Sequence, residues 1–201
     1  MIRKHTRRAA KAAFAISLGV AIVIGLLAAA FARPAQSAGT TVVLGTKNFG
    51  EEYILGQLYK QALEAKGFSV TYKENIGSTE LIQTSLTSGK INMYPEYTGV
   101  IVQDVFHRTS PKTATATYSL AKPSKYTVLA DPKHVTGFQN VAPIVKTSVA
   151  TALGSKFATT VNAVSAKLTL PAIIAMNKAF YVDKQPAAKI ATAFLKANGL
   201  A

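Results

Sequence analysis

The 201-residue sequence predicts an α/β domain with a mostly parallel sheet. Three observations carry this. Short apolar runs rich in β-branched residues alternate with longer segments whose apolar residues recur at helical spacing. Glycines and prolines stand at the junctions. The order strand, helix, strand, helix, strand demands crossovers rather than hairpins, and crossovers join parallel strands. Helices flank the sheet, and the chain closes in a helical segment.

The first strand is T-V-V-L-G at 41–45. Gly50 is placed to cap the next helix, with Glu51 and Glu52 in its first turn, where carboxylates oppose the helix dipole. Ile54, Leu55, Leu58, Tyr59, Ala62 and Leu63 form one apolar stripe. Gly67 stops this helix as a C′ residue, and 68–72 alternates as a second strand. A loop, N-I-G-S-T at 75–79, leads into a helix with Leu81, Ile82 and Leu86 facing inward and Gly89 past its end. A third strand at 91–94 runs to Pro95, and 97–107 suits a helix.

The texture then changes. Residues 108–125 are small and polar with two prolines, and read as a linker or surface turn. Strands are expected at 126–130 and 141–145. Three helices follow, about 149–168, 170–181 and 186–198, with Pro171 and Pro186 in first-turn positions and Gly199 as a stop.

Residues 1–38 form a targeting segment rather than part of the fold. Arg3, Lys4, Arg7, Arg8 and Lys11 precede an uncharged apolar run at 12–32, and small residues up to Ala38 suit signal peptidase. The run is long enough to serve instead as an uncleaved anchor in contact with the membrane. Either way the positive flank stays inside and the domain lies outside the cytoplasm.

With no cysteine, the chain is not a lipoprotein and has no disulfide, thiolate metal site or cysteine nucleophile. Of the net charge of +14, six basic residues lie within 1–38, which hold no acid, leaving +8 for the remainder. Arg108 is the only arginine there, and the lysines are scattered, so the charge describes a solvated basic surface and not a nucleic-acid site. His107 and His134 have no acid at ligand spacing, and Glu96 and Asp131 are lone acids. Neither a metal, a cofactor nor a catalytic constellation is expected, and the chain is not read as an enzyme.

Six motifs occur in order: G-T-K-N-F-G-E-E-Y-I-L-G-Q-L-Y at 45–59, L-E-A-K-G-F at 63–68, S-G-K-I-N-M-Y-P-E-Y-T-G at 88–99, Y-T-V-L-A-D at 126–131, L-T-L-P-A-I-I-A-M-N-K at 168–178 and A-T-A-F-L-K-A-N-G-L at 191–200. In these the chain resembles the osmoprotectant-binding proteins of ABC importers, of the glycine betaine, choline and carnitine type. The resemblance implies a periplasmic-binding-protein type II-like fold, a quaternary ammonium ligand, ABC permease subunits as partners, and a place on the outer face of the cytoplasmic membrane. Such proteins have two α/β lobes with ligand between them, and their second lobe falls where this chain has only 108–125. That span is too short for a domain. The expectation is a single lobe: an N-terminal part at 39–107, a short linker at 108–125 in place of the second lobe, and a C-terminal part at 126–201. Alternatives are a single-lobe protein that docks on the permease or self-associates, and an inactive internal-deletion product.

The resemblance also implies a site. Lys47 follows the first strand, where open α/β sheets place ligands, so it contacts ligand or lines the cleft; otherwise it is a solvated loop lysine. Asn48 either joins it or holds the turn. Ser78 and Thr79 begin a helix whose amides suit a carboxylate, or simply cap it. Tyr97 matches one wall of the family's tyrosine box, which holds ammonium groups by ring faces. Tyr94 is assigned to the core. Thr98 adds a hydrogen bond, while Val100 stands where the family often has threonine. Gln139 and Asn140 lie where many relatives carry a tyrosine, so they contact a more polar ligand or cap a strand.

Overall fold

The computed structural model describes residues 39–109, 113–121, 126–129 and 140–201, and 40–201 form one compact unit. The targeting segment expected at 1–38 lies outside the described residues, as do Gln139 and Asp131. Five strands, β1 (Val42–Gly45), β2 (Val70–Lys73), β3 (Met93–Tyr94), β4 (Tyr126–Val128) and β5 (Ile144–Lys146), form one sheet in the order β2-β1-β3-β5-β4. The pairs β1–β2 and β1–β3 are parallel, and β5 runs antiparallel to both β3 and β4. Four strands therefore point one way, as the crossovers require.

Strand alternation sorts the side chains onto two faces. Val42 and Leu44 of β1, Met93 of β3 and Val145 of β5 enter one core. Val43, Tyr94 and Ile144, their chain neighbours, pack in the other. The first core lies under α1 (Gly50–Ala65), α5 (Thr147–Ser165), α6 (Leu170–Tyr181) and α7 (Ala187–Ala197). The second lies under α2 (Thr79–Thr87), α3 (Thr98–Val100, continuing as the π-helical turn Ile101–Val105) and α4 (Ala114–Leu120). Just before β3, Asn92 adds side-chain bonds to its backbone ones: Oδ1 accepts from Val43 N–H at 2.8 Å and Nδ2 donates to Thr41 C=O at 2.9 Å.

Several expectations shift. Helix α1 starts at Gly50, so the cap position is Phe49, whose side chain makes no capping bond. At its other end Gly67 N–H bonds Glu64 C=O at 2.9 Å and Phe68 N–H bonds Leu63 C=O at 3.1 Å, the paired closure expected of a C′ glycine. Within the segment read as a linker, Ala114–Leu120 is helical. Thr113 caps it by accepting from Ala116 N–H at 3.3 Å, and Thr117 and Ala121 are fully buried. Pro186 is the cap residue of α7 rather than a first-turn residue. Helix α5 begins two residues early and breaks at Gly154, whose φ of 71° lies in the left-handed region that glycine alone adopts freely.

Candidate functional site

The carboxyl ends of β1 and β3 carry the two motif loops, 46–49 and 95–97, side by side. Lys47 enters at the end of β1 and turns inward: it is only 4% exposed, and Glu52 and Glu96 are wholly buried. Its Nζ donates to Glu96 Oε1 and lies 3.9 Å from Glu52 Oε1. Its backbone N–H reaches Glu52 Oε2 at 3.3 Å. Glu96 Oε1 also accepts from Tyr97 N–H at 2.9 Å, and Glu96 C=O accepts from Ala142 N–H at 2.6 Å. One ammonium thus holds two buried carboxyl groups and, through Glu96, sets the backbone that aims Tyr97.

Burial dominates the titration of these acids. Glu52 is pushed up to about 8 by desolvation, with the Lys47 charge pulling it down and Glu96 adding to the rise. Glu96 is raised by burial too, against the opposing pull of Lys47. The Tyr97 phenol is raised well above its ordinary value, first by burial and then by the Glu52 and Glu51 charges.

Over this cluster lie two rings. Lys47 Nζ sits 4.9 Å from the Tyr97 ring centre and 5.5 Å from that of Phe49. The rings stack on each other with centres 6.4 Å apart and planes 20° apart, and Phe49 keeps 38% of its surface in solvent. Tyr97 is pinned at its far end, its hydroxyl donating to Glu51 Oε1 at 2.6 Å. Glu51 Oε2 accepts from Asn177 Nδ2 of α6 at 2.5 Å. Tyr181 of the same helix accepts from Gly50 N–H at 2.8 Å and so caps α1 from 131 residues away.

The expected site residues thus divide. Lys47 and Tyr97 meet, but Lys47 is neither solvated nor turned to solvent; it is spent on Glu96 beneath the rings. Asn48 is exposed beside them. Thr98 and Asn140 are fully buried and bind each other through Thr98 N–H to Asn140 C=O, 2.9 Å, and Asn140 N–H to Thr98 Oγ1, 3.1 Å. They brace the loop, helped by the bridge between Tyr97 and Val141. Ser78 occupies the cap position of α2 without making the capping bond; its hydroxyl donates to Glu80 Oε2 at 2.5 Å instead. Ser78 and half-buried Thr79 stand at the same sheet edge, tied to the first loop by Ile76 N–H to Thr46 C=O at 2.9 Å. Tyr94 lies in the second core, its hydroxyl bonded by Gln83 Nε2.

Sequence reasoning missed six residues of this constellation: Phe49, Glu51, Glu52, Asn177, Tyr181 and Glu96, the last expected to be a lone acid but paired with Lys47. Phe49 and Glu51 stood inside the first motif, and Asn177 inside the fifth, but spacing gave no sign that 51 and 177 touch. A favourable helix dipole already accounted for Glu51.

The fold is thus an α/β lobe with stacked rings over a buried ion cluster at one sheet edge. Known proteins narrow this. The chain belongs to the family described as the substrate binding domain of the ABC-type glycine betaine transport system, whose profile matches residues 40–115 and 104–197. It is similar to the glycine betaine-binding protein YehZ of Escherichia coli (strain K12), 36% identical over 74 residues, which are 37% of this chain and 24% of that relative. The chain's sequence match thus spans about a quarter of that relative's length. Among solved structures it resembles apo YehZ of Escherichia coli, with a TM-score of 0.73 and 17% identity over 81% of this chain and 100% of that one. It also resembles the crystal structure of a glycine betaine/carnitine/choline ABC transporter, with a TM-score of 0.69 and 10% identity over 81% and 99%. These likenesses establish the fold. The family is one of binding domains, and this chain is not an enzyme.

Proposed function

We propose that this chain is the extracytoplasmic solute-binding component of an ABC importer for glycine betaine or a related quaternary ammonium osmoprotectant, reduced to one lobe. The observation that carries the ligand class is the Phe49–Tyr97 ring pair at the carboxyl ends of the parallel strands. A quaternary ammonium has no N–H to donate, so ring faces are its natural partners, each worth up to ~2 kcal/mol when desolvated. Asn48, Ser78 and Thr79 border this edge, while Lys47, Thr98 and Asn140 serve by holding the loop that aims Tyr97. Gln139 belongs to the same proposal through the family pattern alone.

Two facts support the single lobe. The family profile matches in two stretches that overlap at 104–115, leaving no residues between them for a second lobe. The curated relative, of which 74 residues are 24%, is about half as long again as this chain. The bridge at 108–125 replaces the second lobe in this reading, and residues 1–38 export the chain to the outer face of the membrane, where the permease subunits are its partners.

A ligand on one lobe is buried on one side only, whereas closed pockets bury about 70–90% of such a molecule. Calorimetry of the protein with glycine betaine, choline and carnitine is therefore expected to show millimolar affinity or weaker, abolished by Tyr97→Ala. Micromolar binding by a monomer overturns the single-lobe reading; binding that survives Tyr97→Ala overturns the site.

A further inference from the structure

We infer that Glu51 is a specificity-determining residue of the ring site, biasing it toward ligands with a net positive charge over zwitterionic and neutral ones. This rests on the reading of Tyr97 as an ammonium wall and adds what that reading leaves open: which kind of ammonium compound the lobe favours.

The charge inventory around Tyr97 is lopsided. Glu51, Glu52 and Glu96 face it from the first turn of α1 and the loop after β3, and Lys47 is the cation among them. Lys47 is committed to Glu96, with Glu52 at 3.9 Å, and is buried, so it presents no ammonium to a ligand carboxylate. Burial favours the neutral forms of both Glu52 and Glu96, which leaves Glu51 as the carboxylate beside the Tyr97 ring.

Glu51 is the uncompensated member. Both its oxygens accept hydrogen bonds, from the Tyr97 hydroxyl and from Asn177 Nδ2, and both donors are neutral. That pattern belongs to an ionised carboxylate. Among the described residues no Lys, Arg or His lies within 4.0 Å of it. The nearest lysine in sequence on the Asn177 helix, Lys178, is engaged by Asp183 at 2.9 and 3.0 Å. The negative charge therefore lies beside the Tyr97 ring, whose face would meet an ammonium. A phenol that donates to a carboxylate also gains electron density in its ring, which strengthens the attraction of its face for a cation.

A betaine brings its own carboxylate into this field and is repelled by it, and among the described residues no lysine within 4.0 Å of Glu51 offsets the cost. A choline-like cation is not. A merely structural Glu51, strapping α1 to α6, would affect all ligands alike.

The test is an NMR titration of the full chain, in the millimolar range, with choline, glycine betaine and the neutral carbon isostere 3,3-dimethylbutan-1-ol. Choline is expected to bind about tenfold more tightly than the isostere, and Glu51→Gln to weaken choline several-fold more than it weakens the isostere, so that the ratio falls but stays above one through the ring faces. An unchanged ratio in Glu51→Gln overturns the role of Glu51 while the ring site stands. Failure of the unmodified protein to bind any of the three overturns the ring site and the selectivity with it. Should Glu51→Gln not fold, the choline-to-isostere ratio of the unmodified protein decides: a ratio that falls as salt is raised supports the inference, and a salt-independent ratio overturns it.

Discussion

Lys47 and Glu96, forty-nine residues apart, form a buried ion pair that joins the end of β1 to the end of β3. The pair does two things at once. It neutralises a lysine that the fold has taken out of water, and it fixes the carboxylate that accepts from Tyr97 N–H. The ring wall of the site is thus built on charge compensation below it.

Removing the lysine strands two buried carboxyl groups. Lys47→Met is expected to cost about 3–5 kcal/mol, the usual penalty for breaking a buried pair from one side. Adding Glu96→Gln should recover part of the loss, because the second change removes the uncompensated charge. Urea unfolding of the two single variants and the double variant measures the coupling; strictly additive losses would falsify the pair's role.

Glu52 imposes a pH dependence. Folded, it keeps its proton up to about pH 8; unfolded, it releases it near 4.5. Between these values the folded state binds more protons, so stability is greatest below the lower value and declines as pH rises toward 8. The raised Glu96 acts in the same direction. Glu52→Gln, which stays neutral throughout, should flatten this decline. Unfolding midpoints at pH 5, 6.5 and 8 check it, and an unaltered slope in the variant excludes Glu52 as the source.

The start of α1 depends on α6. Tyr181→Phe removes the phenol oxygen that accepts from Gly50 N–H and should cost about 1 kcal/mol. Gly50→Ala should cost more, about 1–3 kcal/mol, because its Cβ would lie 2.4 Å from Phe180 Cε1 and 2.8 Å from Tyr181 Cζ. Thermal unfolding ranks the two, and an alanine variant as stable as the parent contradicts this packing.

Much of the fold was legible because it is written in local periods. The alternation at 42–45 sorts Val42 and Leu44 from Val43, and the stripe from Ile54 to Leu63 buries against the same face. Helix α4 was not legible, since its alanines and threonines form no apolar stripe and its capping threonine looks like any linker residue. The break at Gly154 was equally silent, because a single glycine inside a helical pattern is commonly tolerated.

The sequence by itself determined the strand and helix order through β3, the family pattern of the motif loops, and the presence of Lys47 and Tyr97 at one sheet edge. Tertiary structure alone decided what those residues do there. Lys47 turned inward because Glu96 and Glu52 meet it in the interior, and a buried charge persists only where partners are brought to it. Glu51 became part of the site because Tyr97 and Asn177 converge on it from 46 and 126 residues away. Local patterns record propensity and burial; contacts between distant residues arise only when the sheet sets its loops side by side.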